Sequence, residues 1–315
     1  MVEIRSRTPF ASCRSWTSSN RASALRGVAT GLVVAGLLAH SMSAGAISIS
    51  FDYTYDTSNF FADESRKTVL VTAARALERA TDKLTAITPT AANTWTATFR
   101  NPSDVGNLIP TKNLTVKADT LIVYVGASNL GGDVRAYGGF GGAIDIVGGP
   151  GWEQIVMHRG QAVGEDFGPW GGFISFNSSL SNWWSSLKEP PPETPDLLST
   201  TQHELAHLLG FGFAPSFTSK INSNVDFDGP YSRRQYGSAV PLNPDRIHWA
   251  ADLKGDEYLM QSLTVLRPSV RNLDYAGLCD VGWKFDRCTV PEPGSLALLG
   301  LGLAGLGLSR RRKTA

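Results

Sequence analysis

Residues 203–207 read His-Glu-Leu-Ala-His, and the chain around them is laid out as a helix. Side chains four apart project from one helix face, so His203 and His207 can bind a single metal ion. Glu204 lies beside them, where its carboxylate can take a proton from a water on that metal. Leu205, Ala206, Leu208 and Leu209 supply an apolar face that buries the segment. Ser199 to Gln202 fits a capping box and predicts a helix start just before the histidines. Gly210 and Gly212 predict its end. A buried amphipathic helix with two incidental histidines is the other reading of the same residues. A zinc site that performs chemistry needs three protein ligands and one open position. The chain has five histidines: His40, His158, His203, His207 and His248. The third ligand is therefore His158, His248 or a carboxylate.

Both ends of the chain read as addresses. Five arginines fall in the first 26 residues, followed by an apolar stretch from Val28 to Leu38 and then Ala44-Gly45-Ala46. A basic region, a short apolar run and a small-residue site predict a signal peptide over residues 1–46, cut after Ala46. The C-terminus reads Val290-Pro291-Glu292-Pro293-Gly294-Ser295, then an apolar run from Leu296 to Leu308, then Arg310-Arg311-Arg312-Lys313. This tail resembles the PEP-CTERM sorting signal of Gram-negative bacteria that make extracellular polysaccharide. The resemblance implies a short transmembrane helix in transient contact with the inner membrane, cleavage by an exosortase-type enzyme, and delivery to the cell surface or extracellular matrix. The basic cluster would hold the tail on the cytoplasmic side. A lone C-terminal membrane anchor is the alternative.

Trimming 1–46 and 291–315 leaves 47–290 as one domain. The ends hold nine of the 29 Lys and Arg and two of the 28 Asp and Glu, so the remainder carries a net charge near −6. No basic stripe survives, which excludes a nucleic-acid partner. The length suits one catalytic domain, with two subdomains flanking a cleft. Cys279 and Cys288 are nine apart in an exported chain and are expected to form a disulfide, two free thiols being the alternative. No cysteine lies between residues 47 and 278 to cap a metal. Apolar spacing predicts a helix from Ala62 to Leu84. Strands are predicted at Trp95–Arg100, Leu114–Val116, Leu121–Val125 as a central strand, and Gly171–Asn177. Residues 131–151 read as a glycine-rich loop without a dinucleotide fingerprint.

The run His203 to Gly210 matches the first eight positions of the metzincin motif H-E-x-x-H-x-x-G-x-x-H, and Phe213 then stands where the third ligand belongs. Downstream come Ile247-His248-Trp249, Asp256-Glu257-Tyr258-Leu259-Met260, and Leu273 to Trp283 ending Asp-Val-Gly-Trp. Residues 196–285 thus resemble the active-site half of metzincin-like zinc proteases, leishmanolysin-like or matrixin-like, in which an insertion can separate the helix from the third histidine. The resemblance implies an α+β fold with a twisted mixed sheet, an active-site helix and a C-terminal helical subdomain. It assigns Zn2+ to His203, His207 and His248, the general base to Glu204, and the Met-turn to Met260. It makes Phe173, Ile174, Ser175 and Phe176 the strand edge that pairs with a protein or peptide substrate. A catalytically inactive surface or matrix binding protein on the same fold is the alternative. The 34 residues between Phe213 and His248 read as an inserted loop, in which Asn224, Asp226 and Asp228 either bind Ca2+ or form a solvated turn.

Overall fold

The computed structural model describes residues 46–253, 258–261 and 267–288. Residues 1–45 and 289–315, which carry the signal-peptide and sorting-tail expectations, lie outside them, as do Asp256 and Glu257. The first half runs β1 (Ser48–Asp52), α1 (Glu64–Ala74), β2 (Thr94–Asn101), β3 (Asp104–Lys112), β4 (Thr120–Ser128), β5 (Ala136–Phe140), β6 (Gly142–Val147), α2 (Trp152–His158) and β7 (Gly171–Asn177). The second runs α3 (Leu197–Leu208), α4 (Pro215–Thr218), β8 (Asp226–Phe227), α5 (Pro230–Tyr236), β9 (Val240–Pro241) and α6 (Asn272–Val281). This is an α+β arrangement, helical after β7 except for the two-residue β8–β9 pair. The described residues belong to one compact unit rather than two subdomains.

The main sheet has the order β1-β4-β7-β5, with β1, β4 and β7 parallel and β5 antiparallel at the edge. The apolar run in β4 lies between two parallel neighbours, where a strand covered on both faces belongs. An antiparallel sheet, β3-β2-β6, packs on one face of it. Trp95, Phe99, Tyr124, Trp170 and Phe173 fill that interface, with Phe99 stacked on Tyr124 at 4.1 Å. A larger core holds Leu70, Val123, Ile174, Leu205 and Leu278. Among the described residues no helix is long and apolar enough to cross a membrane.

Four expectations are corrected. The first helix stops at Ala74, although Leu77, Ala80 and Leu84 are buried as their spacing implied. Their stretch gives its backbone groups to distant segments instead: Ile47 donates to Ala80, Asp119 to Leu84, and Thr81 to Lys284. Leu114–Val116 is no strand; it contributes one isolated bridge, Ile87 to Val116. The real strand is β3, which contains Pro110 and is tolerated because it lies on a sheet edge. Residues 131–151 are not a loop, since they contain β5 and β6. The stretch before His248 holds α4, β8, α5 and β9, tied together by Phe217 stacked on Phe227 at 4.2 Å and by Asp280, which accepts from the Tyr231 and Ser232 amides.

The start of α3 also differs. Asp196, not Ser199, is the N-cap, and its carboxylate accepts from the Ser199 amide at 2.9 Å. Arg267 grips the same carboxylate bidentately, at 2.6 and 3.0 Å, and also donates to the Ser186 and Leu187 carbonyls. Pro195 disfavours helix in the residue before it, which bars an earlier start, and the Asp196 cap begins the helix three residues before the expected position. Removing one partner of a buried pair leaves the other charge uncompensated. Asp196→Ala is expected to lower the unfolding free energy by about 3–5 kcal/mol. A urea midpoint within error of wild type would show that this pair does not anchor the helix.

Candidate metal centre

His203 and His207 rise from one face of α3, and His248 arrives from the far side of the cleft. Their Nε2 atoms form a near-equilateral triangle: 3.2 Å from His203 to His207, and 3.1 Å from His248 to each. Nitrogens each about 2.0–2.1 Å from one tetrahedral ion stand about 3.3 Å apart, so the triangle is close to the spacing a zinc site needs. Among the described residues this is the one group of histidine, cysteine or carboxylate side chains with metal-binding geometry.

The outer ring nitrogens decide what the inner ones carry. His203 Nδ1 lies 2.8 Å from the Leu259 carbonyl, His207 Nδ1 2.9 Å from the Phe211 carbonyl, and His248 Nδ1 2.7 Å from Asp245 Oδ2. Each of those oxygens can only accept, so each Nδ1 carries the proton. With Nδ1 donating outward, each ring turns its Nε2 toward the shared centre, where a neutral ring presents a lone pair. A cation satisfies them all. Burial and then the neighbouring His248 hold His203 down at about 4. Burial, followed by His203 and His248, holds His207 well below the usual imidazole range. Both rings are thus neutral where a metal ligand must be.

Phe213 stands at the position where the motif would put its third ligand, and its ring leans on His207 at 5.1 Å. His248 fills the third corner because the chain turns sharply after α3. Gly212 has φ of +82°, and a Cβ there would sit 2.8 Å from the Ile247 carbonyl oxygen, so only glycine lets the His248 loop cross this close. Asp245 organises that loop, its Oδ1 accepting from the Ile247 and His248 amides. Burial raises the Asp245 carboxyl, but the His248 ring and the two amides outweigh it and leave it below the ordinary range. His158, the rival third ligand, ends α2 and lines a separate cavity.

Met260 is buried, and the backbone of its turn touches His203 and the residue after His248. The Leu259 carbonyl holds His203, and the Met260 carbonyl accepts from the amide of Trp249, next to His248. Asp274 on α6 ties the turn down, accepting from the amides of Leu259, Met260 and Arg271 and from the Trp249 indole. Burial still pushes this carboxyl up to about 6, against those four donors.

Glu204 is buried and lines the same cleft of about 290 Å³ as the three histidines, outside their ligand cluster. Burial pushes its carboxyl up to about 8, opposed by a hydrogen bond from the Gly138 amide. A Cβ at Gly138 would lie 2.7 Å from Glu204 Cβ, so β5 can approach the helix this closely only with glycine there.

The expected strand edge is corrected. Phe173–Phe176 belongs to β7, an interior strand paired on both sides. Among the described residues the outer strands of this sheet are β1 and β5, and β5 is the one that lines the cleft. The Arg135 carbonyl accepts from Asn177 and the Gly141 amide donates to Gly171. Antiparallel alternation therefore turns the backbone groups of Ala136, Gly138 and Phe140 away from β7, toward the cleft. In the stretch expected to bind calcium or form a turn, Asp228 pairs with Arg233, and the Asn222 side chain receives the Asn224 and Asp226 amides, as in a turn. Cys279 and Cys288 are disulfide-bonded, with Cα atoms 5.6 Å apart. Sequence reading missed Asp245, Gly138 and Asp274. Of these, only Asp245 offered a local signal, a carboxylate three residues before a histidine.

Residues 289–313 match the PEP-CTERM protein-sorting motif. The motif marks a protein exported and sorted at the membrane through an exosortase-type enzyme. No curated protein and no solved structure matches the chain. The likeness to metzincin-like proteases therefore rests on the motif and the site geometry.

Two outcomes follow from the site and its tail. Purified mature domain should take up about one zinc per chain, and Asp245→Asn should weaken that uptake by about 10–100-fold, the usual effect of losing a carboxylate behind a ligating histidine. Chelator competition measures it; wild-type affinity in the variant would remove Asp245 from the site. Intact mass of the exported protein should lack the residues beyond Pro293. A mass that includes Arg310 to Lys313 would contradict removal of the tail.

Proposed function

We propose that this protein is an exported zinc-dependent endopeptidase of metzincin-like design, acting at the cell surface or in the extracellular matrix. The observation that carries the reading is three imidazole Nε2 atoms meeting beside a buried carboxylate, next to an outer strand of the main sheet. An all-histidine set suits zinc. A zinc ion held by His203, His207 and His248 supplies Lewis acidity to a water and to the scissile carbonyl.

The chain's own residues do the rest. Glu204 takes the proton of the attacking water and passes it to the leaving nitrogen. Burial alone would keep this carboxyl protonated near neutral pH. A cation among the three neighbouring rings acts in the opposite direction and returns it toward a working base. The Gly138 amide fixes the carboxylate's orientation. Backbone groups of Ala136 and Phe140 are free to pair with an extended peptide, in the manner of strand addition. Phe213, once relieved of the ligand role by His248, is a wall of the cleft.

Glu204→Gln keeps the shape and removes the basicity. Zinc content should be unchanged, while peptide hydrolysis should fall by about 10²-fold or more, the scale for losing a positioned base. A Gln variant cleaving at the wild-type rate would show that another group activates the water.

A further inference from the structure

A second cavity, of about 570 Å³, opens beside the metal cleft on the other face of β5. Its walls are Arg100, Val105, Tyr137, Phe140, Phe173 and Phe213. Tyr137, Gly138 and Phe213 line both spaces, so the cavity begins next to Glu204. The two faces of β5 are distinguished by its glycines. A Cβ on Gly138 would point at Glu204, whereas one on Gly139 would point at the Phe173 ring, 3.8 Å away. The second face carries Tyr137 and leaves a gap at Gly139, over an aromatic floor.

A peptide strand added to the β5 edge sends alternate side chains to these two faces. The side chain turned to the Tyr137 face meets this cavity within a residue of Glu204. Tyr137 and Phe213 are 48 % and 42 % exposed, large apolar surfaces that a ligand would cover. Arg100 is exposed at the same wall, and among the described residues its guanidinium has one hydrogen bond, from Nη1 to the Val105 carbonyl. Its remaining donors suit a carboxylate.

We propose that this cavity is a specificity subsite that takes an aromatic side chain next to the scissile bond, with Arg100 receiving an acidic residue adjacent to it in the peptide. This rests on the endopeptidase reading for the word scissile, but the binding itself does not require hydrolysis.

The test uses the zinc-loaded Glu204→Gln protein and fluorescent peptides in matched sets: Phe or Ala at one position, Glu or Gln beside it. Anisotropy should show the Phe peptide binding about tenfold tighter than Ala or better, the scale for burying one large apolar side chain. A Glu neighbour should bind about threefold tighter than Gln at low salt, an advantage lost in Arg100→Gln. Val105→Trp fills the cavity and should abolish the Phe preference with zinc content unchanged. Tyr137→Ala, which removes a wall without adding bulk, should reduce it and stands in if the Trp variant fails to fold. Equal binding of Phe and Ala peptides, or a Phe preference that survives the substitutions at Val105 and Tyr137, overturns the proposal. Wild-type protein on the same peptides separates the two claims. Cleavage without preference discards the subsite and keeps the endopeptidase. Preference in binding without cleavage keeps the subsite and discards the endopeptidase.

Discussion

Three imidazole Nε2 atoms meet at 3.1–3.2 Å, a spacing at which bare lone pairs repel unless a proton or a cation stands among them. The scaffold holds this arrangement from outside. Every Nδ1 is donated to an acceptor fixed by a different element: a carbonyl in the Met260 turn, a carbonyl just past α3, and a carboxylate in the His248 loop. Each acceptor orients a ring, and the three rings together have the spacing of a site that could hold a cation. The proposed metal role gives this geometry a use, and much of the surrounding fold supports it.

That support is layered. α3 gives two ligands from a rigid element, its start clamped by Asp196 and Arg267. Asp274 on α6 holds the turn that touches His203 and the residue after His248, so one carboxylate on the C-terminal helix indirectly steadies ligands from two segments. β5 comes from the other side with a glycine against Glu204, bringing a free strand edge within reach of the buried carboxylate. Close approach of strand, helix and loop is made by Gly138 and Gly212, two positions where a side chain would collide.

The parts legible in the sequence were those set by local chemistry. Histidines four apart and an apolar face describe α3 wherever it packs, and β7 and β4 follow from their apolar runs. His248 was legible only by likeness to a family, since the 40 positions between it and His207 carry no period that reaches back to α3. β5 and its junction with β6 were hidden because their glycines read as loop, yet those glycines answer tertiary demands: Glu204 against Gly138 and the Trp170 ring against Gly141. The first helix was overdrawn because Leu77, Ala80 and Leu84 keep a helical spacing while the backbone of Ala80, Thr81 and Leu84 bonds to Ile47, Lys284 and Asp119. Asp196 lost to Ser199 as the expected cap because its partner, Arg267, lies 71 residues away.

X-ray absorption at the zinc edge of the metal-loaded mature domain tests the central claim most directly. The account predicts three imidazole nitrogens at about 2.0–2.1 Å with one further oxygen ligand from water, and loss of one imidazole in His248→Ala. A wild-type spectrum with fewer than three imidazoles, or one that His248→Ala leaves unchanged, would contradict it.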